Sequence, residues 1–157
     1  MTYVDAISWD MLNPFIMPIK VLEPHTDRLG HTNNTTYLNW MEEVSWRHID
    51  PLGMSWAAHE KLGKAMAITR TEVDYLAASH ADDELYIGTW ITACDGRLQS
   101  SRHFQIFRPA DGKTIVRANS HYACIDMKSG KPTRMPKEFV EAHRKAMEAH
   151  GLTPAPD

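Results

Sequence analysis

"TDRLGHTNNTTYLNWMEE", residues 26–43, is where this chain turns from extended segment into helix. A lone acid and a Gly-His pair come first, then Asn-Asn-Thr-Thr, then an aromatic-rich run. Tyr37, Met41, Val44 and His48 recur at helical spacing with Trp40 beside them, while Asn39, Glu42 and Arg47 can face water. A helix is therefore expected from Thr35, ended by Pro51 and Gly53. What surrounds that helix decides the fold.

Upstream, "PFIMPIKVLEP" (14–24) is apolar and extended, but Pro14, Pro18 and Pro24 cannot donate to a ladder, so it reads as an edge or irregular strand. The first dozen residues have no clear period and read as a lead-in arm. Downstream, "MSWAAHEKLG" gives a short helix ending at Gly63. The runs 64–78, 84–94, 97–109 and 113–126 are β-branched and aromatic, hence strands. Asp95-Gly96 and Asp111-Gly112 join the last three as hairpins, which makes an antiparallel meander. "PKEFVEAHRKAMEAHG" (136–151) is an amphipathic terminal helix with Pro136 near its start and a Glu141–Lys145 pair; the tail "LTPAPD" is expected to fray. There is no internal repeat or linker, so residues 1–157 form one domain with its core at about 14–140. A single long apolar helix among five strands has one economical arrangement, an α+β domain whose antiparallel sheet curls around the helix.

Composition narrows the function classes. A net charge of −3 argues against nucleic acid as a partner. The two cysteines, Cys94 and Cys124, have neither metal-type spacing nor a disulfide framework, which fits a reduced, cytoplasmic setting. The first positive side chain is Lys20, so a signal-peptide start is not expected. No apolar run reaches the roughly 18 residues of a membrane span. The histidines form no HxH or HExxH pattern, so no metal or other cofactor is expected. Ser100, Ser101 and Ser120 lack a nucleophile elbow, and there is no GxGxxG or P-loop.

The motif at 26–43 resembles that of hotdog-fold acyl-CoA thioesterases of the 4-hydroxybenzoyl-CoA thioesterase-like family. Asp27, Gly30, His31, Asn33, Asn34, Tyr37, Leu38, Glu42 and Glu43 match its anchors, with Thr32 in place of valine. The similarity extends over about residues 15–140. It implies a five-stranded sheet wrapped on a central helix with a C-terminal helix, acyl-CoA as substrate, and a homodimer or dimer of dimers whose sites share both chains. It also implies that Asp27 is the catalytic acid and that the amide of Asn34, seven positions on, is the oxyanion donor, with Thr35 assisting.

The chemistry of the stretch agrees with that implication. Thioester hydrolysis needs a carboxylate to attack the carbonyl or activate water, and a donor where charge builds on oxygen. A helix start offers unpaired N–H groups at the positive end of the dipole. Asp27 could instead serve a turn, Asn33 to Thr36 can cap the helix while still presenting an amide, and His31 either orients Asp27, touches substrate or is structural. One of Glu42 and Glu43 could act as a second acid. Tyr37, Trp40, Met41 and Val44 are expected to wall an acyl pocket, with Trp56 and Met66 as weaker candidates. Arg97, Arg102, Arg108, Lys113 and Arg117 against Asp111, then Lys128, Lys131, Arg134 and Lys137, suggest a phosphate-receiving rim, opposite an acidic segment at 72–84. Ser101 and Arg102 are the chosen coenzyme A contacts. Two other functions remain open: a hydratase or dehydratase of enoyl or 3-hydroxyacyl thioesters using Asp27 and His31, and a non-catalytic acyl-CoA-binding module.

Overall fold

Both signals that dominate the sequence, the helical stripe after Asn33 and the Asp-Gly turns, become structure. The computed structural model describes residues 8–154. The elements are β1 (Phe15–Lys20), α1 (Asn34–Ile49), α2 (Trp56–Leu62), β2 (Lys64–Tyr75), β3 (Glu84–Cys94), β4 (Gln99–Arg108), β5 (Lys113–Asp126) and α3 (Lys137–Ala149). They form one sheet in the order β1-β3-β4-β5-β2, every neighbouring pair antiparallel. The expected meander is β3-β4-β5. At the first hairpin the Asp95 carboxylate accepts from the amides of Arg97, Leu98 and Gln99 at 2.8, 2.8 and 3.0 Å, and Gly96 takes φ 70°. A side chain thus does the work of a backbone turn.

β1 is an edge strand paired only with β3, which is where Pro18 is tolerated. It is shorter than the expected 14–24, because Glu23–His25 winds into a 3₁₀ turn with Pro24 near its start. β2 likewise stops at Tyr75 rather than 78. The Glu141–Lys145 pair is replaced by Arg144, which binds both Glu141 and Glu148. Leu152 is not frayed: its amide donates to the Met147 carbonyl at 2.8 Å. Residues 155–157 of the tail lie outside the described residues, as do the first seven residues of the lead-in arm.

Two layers lie on the inner face of the sheet. Tyr37, Trp40, Met41 and Val44 of α1 pack with Ile87, Phe104, Ile106 and Val116. Phe139, Ala142, Ala146 and Met147 of α3 pack with Ile91, Cys94 and Cys124. The outer face is closed by the end of the arm. Trp9 sits edge-on to Trp90 at 6.0 Å between ring centres, and Trp90 Nε1 donates to the Leu12 carbonyl at 2.9 Å. Gly88 makes this possible, since a Cβ there would lie 2.7 Å from the Trp9 ring.

Candidate active site

The loop 27–31 is built on Asp27 and closed by Gly30. The Asp27 amide donates to the His31 carbonyl at 2.8 Å, and Gly30, at φ 75°, donates back to the Asp27 carbonyl at 3.0 Å. Asp27 Oδ1 accepts from the amides of Leu29 (2.8 Å) and His31 (3.2 Å). Oδ2 finds no donor among the described residues, and the side chain is exposed. The turn thus occupies one oxygen of the carboxylate and leaves the other without a donor among the described residues. His31 holds Asp27 through its amide, while its ring packs edge-on to His80 at 5.0 Å. The Thr32 amide donates to Ser79 O at 2.8 Å, which anchors the loop against the chain after β2.

Helix α1 begins at once. Asn33 is its cap, accepting from the Thr35 amide at 3.1 Å and the Thr35 hydroxyl at 3.0 Å. The Thr36 amide donates to Asn33 O at 2.9 Å. The Asn34 amide has no acceptor among the described residues. It lies at the positive end of the helix, one of the N–H groups a helix cannot satisfy itself. Thr35, expected to assist as a donor, is committed to the cap instead.

A cavity of about 530 Å³ opens alongside α1, between the helix and the inner faces of β4, β5 and β2. Its lining starts at Leu38, one turn beyond Asn34, and runs to Ile49 and Met54. Of the four expected wall residues, Met41 takes that place. Tyr37, Trp40 and Val44 do not: they belong to the stripe pressed on the sheet, with Tyr37 Oη bonded to Ser79 Oγ at 2.7 Å. The cavity is lined by the adjoining stripe, Leu38, Glu42, Ser45 and Ile49, which the apolar period does not advertise. Met66 lines it too, whereas Trp56 is exposed and packs on Trp46. The two acids separate as well, for Glu42 faces the cavity and Glu43 bridges to Arg47 at 2.7 Å on the wet side.

Three cations of the 97–117 run are not free at a rim. Arg108 binds Asp111 and Asp83, and Arg117 binds Asp10, so part of the charge asymmetry cancels across the surface. Arg102 is not at the surface at all but 4% exposed. Ser101 is half-buried with its hydroxyl 3.0 Å from His121 Nδ1. Among the described residues, no group of three or more His, Cys, Asp or Glu could hold a metal ion, and no helix is long and apolar enough to cross a membrane. Cys94 and Cys124 are free and buried, and burial raises both thiol pKa values.

Comparison with known proteins gives this geometry a family. The model of the thioesterase-like superfamily matches residues 22–143. The putative acyl-CoA thioesterase YneP of Bacillus subtilis is 29% identical over 125 residues, 80% of this chain and 89% of that protein. The long-chain acyl-CoA thioesterase FadM of Escherichia coli is 24% identical over 124 residues, covering 78% and 92%. Among solved structures, a Staphylococcus aureus protein in complex with CoA superposes with a TM-score of 0.80 at 16% identity, covering 96% of this chain and 92% of that one. With the motif at Asp27, the five-stranded order β1-β3-β4-β5-β2 and the family match over most of its length, the chain belongs to the thioesterase-like superfamily of hotdog-fold proteins.

Proposed function

We propose that this protein hydrolyses acyl-CoA thioesters to free acid and coenzyme A, without a cofactor, at the mouth formed by Asp27 and the start of α1. One observation carries the reading. Among the described residues, a carboxylate with one oxygen tied and one without a donor is followed, seven residues on, by a helix-start amide without an acceptor. The thioester oxygen sits on the Asn34 amide. Asp27 Oδ2 either takes a proton from the attacking water or attacks the carbonyl itself. In the first route, hydroxide adds to the carbonyl, the C–S bond breaks and CoA leaves as thiolate. In the second, the Asp27 carboxylate adds to the carbonyl, CoA leaves as thiolate as the acyl–Asp27 anhydride forms, and water then opens the anhydride to the free acid and the Asp27 carboxylate. The acyl group runs from Asn34 into the cavity past Leu38 and Met41, with Glu42 facing the same space.

The edge strand β2 supports a homodimer. It is 12 residues long and among the described residues pairs with β5 alone, and Ile68 and Tyr75 on it, with Leu76 just beyond, are exposed apolar side chains. Such an edge is a pairing surface unless it is covered. Two buried free thiols suit a reducing compartment, in keeping with a cytoplasmic enzyme.

Asp27→Asn keeps an Oδ1 acceptor for the turn and removes the base. Turnover of an acyl-CoA panel, followed by thiol release, should fall by about 10²–10⁴ while the melting temperature holds. Retention of most of the activity would remove Asp27 from the mechanism. Crotonyl-CoA separates hydrolysis from hydration: thiol is released in one, and enoyl absorbance is lost without thiol in the other.

A further inference from the structure

Beside the C-terminal part of α1 the cavity lining holds a positive charge with no counter-ion among the described residues. Arg102, on β4, is 4% exposed, and its Nη1 donates to His48 Nδ1 at 2.9 Å and to Thr89 Oγ1 at 3.1 Å. No carboxylate pairs with it among the described residues. The group nearby that favours its charge is a phenol, Tyr122, which lines the same cavity. The three histidines around it do not neutralise it and do not share the charge. His48 accepts the guanidinium proton on Nδ1 and so must be neutral. His143 Nδ1 donates to Phe139 O at 2.7 Å and His150 Nδ1 to Asn13 O at 2.7 Å, and burial lowers the pKa of both rings. Ser100 and Ser120 complete a polar end to a cavity whose other walls include Met41, Phe104 and Ile91, with Glu42 and Ser45 along its α1 side.

Burying a guanidinium without an anion costs several kcal/mol, so a fold that retains one has either spare hydrogen bonds to satisfy it or an anion to receive. Here Nη1 is bonded to His48 and Thr89 and the Tyr122 hydroxyl supports the guanidinium, but no carboxylate among the described residues balances its charge. The charge also stands at a fixed distance from the chemistry. His48 lies fourteen residues beyond Asn34 in α1, about 21 Å along the axis at 1.5 Å per residue, with its side chain leaning back towards the start.

We propose that Arg102 is a specificity residue that receives the carboxylate at the far end of an ω-carboxy acyl group, the thioester being held at Asn34. This rests on the thioesterase reading above, and names its substrate class. The apolar walls hold the methylene chain, and the guanidinium, Tyr122 and the two serines hold the distal anion.

The test compares pairs of thioesters that differ in the terminal carboxylate alone: adipyl-CoA with hexanoyl-CoA, dodecanedioyl-CoA with lauroyl-CoA, and hexadecanedioyl-CoA with palmitoyl-CoA. In the pair whose length spans the cavity, the wild-type protein should favour the carboxylated member in kcat/KM by about tenfold to hundredfold, the worth of one charge-assisted contact. Arg102→Met should abolish that ratio. The variant is expected to fold, since an apolar group of similar length in place of an unpaired buried ion is neutral or stabilising. A wild-type ratio near one in every pair overturns the assignment while thiol release upholds the thioesterase. An Arg102→Met loss equal for both members puts the guanidinium on the common CoA moiety and also overturns it. No thiol release from any substrate overturns both proposals.

Discussion

Buried histidines make this fold lose stability as pH falls below the ordinary imidazole range. His143 is 4% exposed and His48 is 6% exposed. Burial pushes His143 from the ordinary 6.5 down to about 4. Burial, then Arg102 beside it, pushes His48 down to about 2. The unfolded chain binds a proton on each ring near pH 6.5 and the folded chain does not. This stability is thus fully present above pH 6.5 and is lost as pH falls towards the folded values. At 1.36 kcal/mol per unit, the unfolded imidazole gains about 2 kcal/mol between pH 8 and pH 5, so the two rings together remove about 4 kcal/mol of a typical 5–15. His150, also lowered by burial, adds in the same direction. Asp95, Asp111, Asp126 and Glu141 are lowered and titrate below this window. Urea unfolding at pH 8, 6.5 and 5, at one protein concentration, measures the loss. His143→Gln should cut it from about 4 to about 2 kcal/mol without changing the denaturant slope. An equal loss in the variant, or a wild-type stability flat from pH 6.5 to 5, would refute the reasoning.

Gly30→Ala adds a Cβ with nothing within 4 Å but at φ 75°, so its cost is backbone strain of about 1–2 kcal/mol. Thermal unfolding should register that cost, and turnover should fall with it because the same turn holds Asp27. Gly88→Ala puts a methyl 2.7 Å from Trp9, forcing the ring off Trp90. We expect about 1–3 kcal/mol of destabilisation and a red-shifted tryptophan emission, against no shift if Trp9 can stay. Ile68→Lys places a charge on an exposed β2 residue (59%) and, with the proposed dimer paired through β2, should give a monomer in sedimentation where the wild type gives a dimer. An unchanged dimer would place the interface elsewhere.

The order of elements was legible because periodicity and turn chemistry are local. Asp95 and Asp111 announce hairpins through their own carboxylates and glycines, and Asn33 announces α1 through its cap. Where the boundaries moved, the cause is a local competitor or a tertiary one: Pro24 winds Glu23–His25 into a turn, and Arg144 outcompetes Lys145 for Glu141. The arm over Trp90 could not be read, because its partner is 81 residues away from Trp9 and its signal is a missing Cβ at Gly88.

The candidate site divides along the same line. Asp27 and Asn34 sit seven residues apart in one turn and one helix start, so a short motif contains both. The cavity has no such motif. Apolar spacing on α1 marks the stripe that meets the sheet, and a residue pressed into a core cannot also face a ligand, which is why Tyr37, Trp40 and Val44 were sound as helix signals and unsuited as pocket walls. The ligand-facing stripe must be mixed, with Leu38 and Ile49 beside Glu42 and Ser45, and mixed composition looks like a solvated face. Arg102 carries the point furthest. In sequence it belongs to a basic run and suggests a surface phosphate contact. In the fold it alternates inward with Ser100 and Phe104 on β4 and becomes the most enclosed cation of that run. One strand period separates a rim charge from a buried one, and that alternation, already present in "SSRHF", is the signal that could have placed it.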